Sequence, residues 1–256
     1  TDGIETGTAV VANGVAYIGS APGVAEGFLM AFDAKTGDQL WRSDEPIFTP
    51  AVQDGIGYAG SGGGEVTALD LSTGEVLWQE MVGGVARPAT VAGDVVYMNS
   101  DSDEAIYAFD TKTGDQLWKF PVNGYLGDAP ALKDGVLYAA TGGGTIYALG
   151  GENAIPAAVP ATPSPESAAN AIPASPMADS PAAIEAELLW SAPGGDGGLS
   201  QTGYVTIAPD GNLWVADNGN HRFQIASPDG AFIEAWGEKG TGDGQFQLIS
   251  ATGDGY

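Results

Sequence analysis

Side chains that commonly do chemistry are scarce in this chain, and their spacing limits them further. It has one histidine, His221, and no cysteine. A zinc site needs several nitrogen, sulfur or carboxylate ligands, so a lone imidazole is a poor start for one. His221 is read instead as fixing the loop after Asp217 through side-chain hydrogen bonds. Zero cysteines exclude disulfides, thiol catalysis and thiolate metal sites. Asp101, Asp103 and Glu104 bring together oxygen ligands of the kind Ca²⁺ takes. They lack the spaced pattern of a calcium loop and are read as a solvated turn between two strands. Gly62-Gly63-Gly64 and Gly142-Gly143-Gly144 are not phosphate loops, because no Gly-Lys-Ser/Thr or helix follows them. No Ser-His-Asp constellation emerges. No catalytic, cofactor-binding or metal-binding residue is therefore assigned.

The elements that would have to position any site come from a repeat. The stretch AFDTKTGDQLW, Ala108 to Trp118, occurs earlier as AFDAKTGDQLW (Ala31 to Trp41) and as ALDLSTGEVLW (Ala68 to Trp78). Apolar residues, then Asp, Thr-Gly and Leu-Trp read as strand, tight turn, strand. A second motif precedes each copy: TAVVANGVAYIGS from Thr8, TPAVQDGIGYAGS from Thr49, RPATVAGDVVYMNS from Arg87, and a fourth, DAPALKDGVLYAAT, from Asp128. Each is an Asn-Gly, Asp-Gly or Gly-Asp turn between apolar runs, a hairpin signal, with Tyr17, Tyr58, Tyr97 or Tyr138 in the second run. Together the motifs give four short strands in about 40 residues, the blade of a β-propeller.

Here the recurring A-[FL]-D-x-x-T-G-x-x-L-W resembles the repeat of the PQQ-type, quinoprotein-like propellers, over roughly Thr8 to Leu149. Blades are expected at Thr8 to Ser43, Thr49 to Val82 and Arg87 to Val122. Leu29, Val66, Ile106 and Ile146 form one column, Ala31, Ala68, Ala108 and Ala148 the next, and Phe32, Leu69, Phe109 and Leu149 a third. Neighbouring strand positions face opposite ways, so this strand is apolar on both faces, as a blade between two others requires. The small Ala column leaves room for the Trp column.

The resemblance also implies a dehydrogenase. Such enzymes hold PQQ with an adjacent Cys-Cys pair, a stacking Trp and a Ca²⁺ bound by acidic and amide side chains. This chain matches none of those ligand segments, and Trp41, Trp78 and Trp118 read as blade packing. No cofactor is expected, and PQQ is not expected to bind.

The fourth unit reaches Gly150, where the others have Asp, and no Thr-Gly or Leu-Trp follows directly. Gly150 is therefore read as the end of the first propeller, lacking an outermost strand. From Gly151 the chain turns rich in Pro, Ala and Ser, including Pro156, Pro160, Pro163, Pro165, Pro173, Pro176 and Pro181. That composition reads as a linker without a core, with a helical turn expected from Ala182 to Leu189. From Tyr204 to Phe246 the order is strand, Asp210-Gly211 turn, LWVAD, an N-x-N-H-R segment, strand, Asp229-Gly230 turn, strand. This resembles an NHL repeat, Asn220-His221 standing at its Asn-His signature and Arg222 where the family has Leu. One lyase branch of such propellers uses histidines for zinc. Trp190 to Gly198 is read as the end of a preceding strand and turn, and Leu248 to Tyr256 as the start of a further unit.

The expected fold is all-β, with propeller blades of four-stranded antiparallel sheets in two incomplete propellers joined by a disordered linker. The divisions are 1–150, 151–187 and 188–256. An open arc is expected at 8–149, with blade faces left uncovered and prone to aggregate. Closure of a small ring by Thr1 to Gly7 pairing with Thr145 to Leu149 is the competing idea.

The acidic residues number 33 against 8 basic, a net charge of −25. That argues against nucleic acid or an anionic membrane as partner and tolerates Ca²⁺ or cationic partners. No apolar run reaches the length of a membrane span. Any targeting signal is expected outside the text that begins at Thr1. The function expected is non-enzymatic binding or scaffolding of an unidentified protein or small ligand on propeller faces, in an exported bacterial protein, extracellular, cell-surface or periplasmic. A quinoprotein oxidoreductase with its active-site blades elsewhere, or a sensor ectodomain of a membrane receptor or kinase, stand as alternatives.

Overall fold

Each repeat begins with a turn that only certain residues can make. Asn13-Gly14, Asp54-Gly55 and Asp134-Gly135 all have positive φ at both positions, 51° and 80°, 52° and 81°, and 51° and 80°. That is the mirror-image two-residue turn whose twist matches the flanking strands of a hairpin. Asn and Asp tolerate the left-handed region and glycine enters it freely, which explains the residue order.

The structure, a computed structural model, describes residues 6–20, 27–150, 186–195, 197–202 and 204–248. Among them are five four-stranded antiparallel sheets. The first contains β1 (Thr6–Ala12), β2 (Val15–Ser20), β3 (Leu29–Asp33) and β4 (Gln39–Ser43). The second contains β5 (Ala51–Gln53), β6 (Ile56–Gly60), β7 (Glu65–Asp70) and β8 (Val76–Met81). The third contains β9 (Ala86–Ala92), β10 (Val95–Ser100), β11 (Ala105–Asp110) and β12 (Gln116–Pro121). The fourth contains β13 (Ala131–Lys133), β14 (Val136–Thr141), β15 (Thr145–Gly150) and β16 (Glu187–Ala192). The fifth contains β17 (Val205–Ile207), β18 (Leu213–Asp217), β19 (Arg222–Ala226) and β20 (Phe232–Trp236). A short parallel pair follows, β21 (Glu238–Lys239) with β22 (Gln245–Phe246). The sheets are propeller blades, each a simple meander in chain order. Apart from a 3-10 turn at Asn218–Asn220 the elements described are strands. No helix among the described residues is long and apolar enough to cross a membrane.

The chain divides into two compact units, 1–117 and 118–256, with the boundary inside β12. In the first unit one core joins blades one and two through Tyr17, Leu29, Ala31, Ile47, Ala59, Leu69 and Leu71. A second joins blades two and three around Tyr58, Val66, Ala68, Val96, Met98, Tyr107 and Phe109. The expected columns hold: Leu29, Val66, Ile106, Ala31, Ala68 and Ala108 are fully buried. The register explains the alanines. Ala31 pairs with Trp41 and Ala68 with Trp78, so each small side chain makes way for an indole beside it.

The second unit overturns one expectation about the fourth repeat. Its outermost strand is present: β16 pairs antiparallel with β15, matching Gly150 to Glu187 and Ala148 to Trp190. Ala148-Trp190 is the same pair as Ala31-Trp41, so Leu189-Trp190 is the Leu-Trp of the fourth repeat, displaced along the chain by residues 151–186. Gly150 therefore ends a strand and not a propeller. The edge of β15 offered to residues 1–7 in the closure idea is occupied by β16. Thr6 and Gly7 belong to β1, and residues 1–5 lie outside the described residues. The helical turn expected from Ala182 to Leu189 is also replaced where it is described, since Glu187 to Leu189 are strand. The rest of the linker, residues 151–185, and the further unit expected beyond Leu248 lie outside the described residues. Blade four packs directly on blade five: Val136, Tyr138, Ile146 and Ala148 share a core with Val205, Leu213, Val215 and Ala226.

Candidate functional site

The repeat's chemistry-bearing side chains are best followed from the turn outward. In each β3–β4-type turn the aspartate accepts backbone hydrogen bonds from the residues that follow. Asp33 accepts from Lys35 and Thr36 at 2.8 Å each, Asp70 from Ser72 at 2.7 Å, and Asp110 from Lys112 at 2.8 Å and Thr113 at 2.9 Å. These bonds stabilise the ionised carboxylate and hold all three below the usual aspartate range. The leading cause is the Thr36 amide for Asp33, the Ser72 hydroxyl for Asp70 and the Thr113 amide for Asp110.

The glycine closing each turn receives the tryptophan of the preceding blade. A Cβ on Gly74 would stand 3.0 Å from Trp41, and one on Gly114 would stand 2.8 Å from Trp78. Gly230, of the Pro-Asp-Gly turn in blade five, lies in the same way under Trp190, at 2.8 Å. Each indole N–H then donates to a carbonyl of that turn: Trp41 to Leu71 at 3.0 Å, Trp78 to Thr111 at 2.9 Å and Trp190 to Pro228 at 3.1 Å. The tyrosine column backs the indoles, with Tyr17, Tyr58 and Tyr138 about 6 Å from Trp41, Trp78 and Trp190. The Tyr58 and Tyr138 hydroxyls donate to the same carbonyls as their tryptophans, at 3.4 and 3.2 Å. Burial pushes the phenols of Tyr17, Tyr58 and Tyr138 up. The tryptophans are thus interlocks between blades.

The acidic cluster of blade three is a brace rather than the solvated turn expected. Asp101 and Asp103 are half-buried; only Ser102 and Glu104 are exposed. Asp101 accepts from the Val85 amide at 2.9 Å and from Arg87 Nη2 at 3.1 Å. Asp103 accepts from the Gly83 amide at 3.0 Å and from the Tyr107 hydroxyl. The two carboxylates pin the connection that enters blade three, because its amides need acceptors where water is thinned. The glycine triplets do the corresponding task by being small. Gly64 passes under the Val82 carbonyl and Gly144 under that of Leu199, both at positive φ.

Blade five is entered through a different carboxylate. Asp217 is fully buried and accepts from the Ser200 amide at 2.7 Å, Asn220 Nδ2 at 2.9 Å, Arg222 Nε at 2.7 Å and Gln224 Nε2 at 3.0 Å. Gln224 and Arg222 also reach the Gly198 carbonyl, at 2.6 and 2.9 Å. The loop after Asp217 is therefore fixed by Asn220 and Arg222, not by the side chain of His221 as expected. His221 sits at φ 54°, its backbone N–H bonded to Asn218 O at 3.1 Å, and its buried Nδ1 has no hydrogen-bond partner among the described residues. Arg222, where the family named above has Leu, is a working member of this network.

A family model described as outer membrane protein assembly factor BamB matches residues 25–180 and again 86–220. The chain belongs to this family. The second match runs through the fourth blade and into the fifth, as the Trp190 interlock does. Among curated relatives, the BamB of Yersinia pestis is 35% identical over 68 residues, and that of Salmonella typhimurium 32% over 68 residues. Each match covers 27% of this chain and 17% of the relative. In solved structures, the computationally designed Ika8 protein shares the fold, with a TM-score of 0.64 at 14% identity over 90% of this chain and 61% of its own. BamB from Moraxella catarrhalis aligns with a TM-score of 0.49 at 19% identity, over 87% of this chain and 70% of its own.

The residues of this BamB-family chain do not fit PQQ. Trp41, Trp78 and Trp190 each have one ring face against a glycine and the N–H on a carbonyl, which leaves them unsuited as a cofactor floor. Asp101 and Asp103 already accept from amides, Arg87 and Tyr107. Sequence reading missed the blade-four membership of Trp190 and the whole Asp217 network. The Leu189-Trp190 pair was a usable signal for the first, whereas Gln224 carries no motif that would announce the second.

Proposed function

We propose that this protein is a non-enzymatic scaffold that binds a protein partner on its blade surfaces, as an exported extracellular, cell-surface or periplasmic protein. Membership of a family described as outer membrane protein assembly factor BamB carries the reading. It makes outer membrane proteins in the course of assembly the partner class to test. The destination of the polar side chains supports it, since the repeat's aspartates and tryptophans hold turns and interlock blades. The charge of −25 supports a protein partner over nucleic acid. Residues 204–246 are, on this reading, an NHL-type unit serving as one more blade.

The test uses the purified chain, immobilised and challenged with an outer-membrane β-barrel protein diluted out of urea, beside an unfolded soluble protein of similar size. Saturable retention of the first alone is expected. Equal retention of both, or of neither, sinks the reading. Titration with PQQ and Ca²⁺, followed by absorbance and tryptophan fluorescence, is expected to show no saturable submicromolar binding. Such binding would favour the quinoprotein oxidoreductase instead.

A further inference from the structure

Blades one and two, two and three, and four and five are joined by one device: an indole laid on the glycine of the next blade's turn, its N–H on a carbonyl of that turn. The first blade carries the receiving half of this device unfilled. Its turn is built like the others, with the Gly37 amide bonded to Asp33 O at 2.8 Å and φ of 79°, against 80° at Gly74 and Gly114. Yet a Cβ on Gly37 would find nothing within 4 Å. Ala34, which stands where Leu71 and Thr111 are buried, is exposed. The sheet behind it agrees. Phe32 is only half-buried where Leu69 and Phe109 are 1% exposed, and Val11, in register through Ala16, is 63% exposed.

The donating half is uncovered on the fifth blade. Ala216, Phe223 and Trp236 pair directly across β18, β19 and β20, so they share a face with Trp214, two residues from Ala216. This face is opposite the one that sends Leu213 and Val215 into the core with blade four. Trp236, on the outermost strand, is 49% exposed, and the buried Nε1 of Trp214 has no hydrogen-bond partner among the described residues.

We propose that this chain associates head to tail with a second copy of itself, Trp236 of one copy docking on the Asp33–Gly37 turn of the other. A copy is the occupant because the required fit, an outer-strand indole on an Asp-x-x-Thr-Gly turn, is one the chain already makes twice. Each chain, moreover, carries one unfilled half of each kind. The contact is heterologous, so a dimer retains one free half at each end and can grow. The proposal does not rest on the binding function above.

Analytical ultracentrifugation of the full chain over a concentration series tests it, beside Trp236→Ala, Gly37→Asn and their equimolar mixture. Asn accepts the left-handed conformation and fills the socket without touching an existing contact. The native chain is expected to rise at least twofold in weight-average mass, each variant to stay monomeric, and the mixture to form dimers and nothing larger. A native chain that stays monomeric, variants that assemble like it, or a mixture that does not pair would each overturn the proposal. Should Trp236→Ala fold poorly by near-ultraviolet circular dichroism, Gly37→Asn alone decides, since assembly unchanged by it refutes the socket.

Discussion

At the scale of single residues, the glycines of the repeat fall into two kinds that the sequence does not distinguish. Gly14 and Gly114 have the same φ of 80°, but only Gly114 has an indole against it. Gly14→Ala should cost about 1 kcal/mol, the strain of a side chain in the left-handed region. Gly114→Ala should cost a further 1–3 kcal/mol or so, because the Trp78 ring must lift. Urea midpoints measure both, and a red shift of tryptophan emission should accompany only the second. The turn aspartates give a sign for pH. Asp33, Asp70 and Asp110 are depressed in the folded chain, so the unfolded chain takes up their protons first on acidification. Their contribution is complete above the ordinary aspartate pKa of about 4 and is lost as pH falls through the lower folded values. Melting temperature should therefore decline between pH 5 and pH 2 (roughly the carboxylate range), and the Asp→Asn triple variant should show a shallower slope there. An equal slope would show that these turns do not contribute. Tyr17, Tyr58, Tyr97 and Tyr138 act at the other end. Burial raises them, so the stability they confer is present below pH ~10 and fades above it.

At the scale of elements, what repeats in sequence was legible and what occurs once was not. Three copies of Asp-x-x-Thr-Gly-x-x-Leu-Trp specified the strands, the turns and the alanine–tryptophan register before any coordinates. The fourth copy has Gly150 for Asp, and residues 151–186 stand between its halves. Its outer strand was therefore assigned to another domain. Pairing through space is indifferent to that interval, because closing a longer loop adds only a slowly growing entropy. Replacing residues 151–186 with a Ser-Thr-Gly turn should therefore leave the β15–β16 pairing and the Trp190 emission unchanged. A red-shifted Trp190, read in a variant with that tryptophan alone, would contradict the shared blade. The Asp217 network escaped notice for a different reason: its members, Ser200, Asn220, Arg222 and Gln224, meet only after β18 and β19 pair. Asp217→Ala strands the half-buried Arg222 guanidinium and a buried Gln224, and should cost on the order of 3 kcal/mol by urea denaturation. His221→Ala should cost much less, since no side-chain bond of His221 holds the loop.

At the scale of the whole molecule, charge and fold work against each other. The chain carries −25, and a compact state brings those charges closer than an unfolded one does. Few cations offset them. The Arg42–Asp44 and Lys112–Asp94 pairs are well exposed, and exposed pairs are each worth about 0–1 kcal/mol. The two pairs that are mostly sheltered, Arg87–Asp101 and Arg222–Asp217, are screened little by salt. Raising the ionic strength should therefore relieve repulsion more than it weakens attraction. Going from about 0.01 M to about 0.15 M NaCl shortens the Debye length from roughly 30 Å to roughly 8 Å, so repulsion between distant charges is largely removed. A gain of about 1 kcal/mol, or a rise in melting temperature of about 2–4 °C, is the expected size. Calorimetry at the two salt concentrations measures it, with CaCl₂ at matched ionic strength as the comparison. A flat or falling melting temperature in NaCl would mean that attractive pairs dominate the surface. A much larger, saturable rise confined to CaCl₂ would mean that the acidic residues bind the ion at a defined place, against the reading of Asp101 and Asp103 as braces for the blade-three connection.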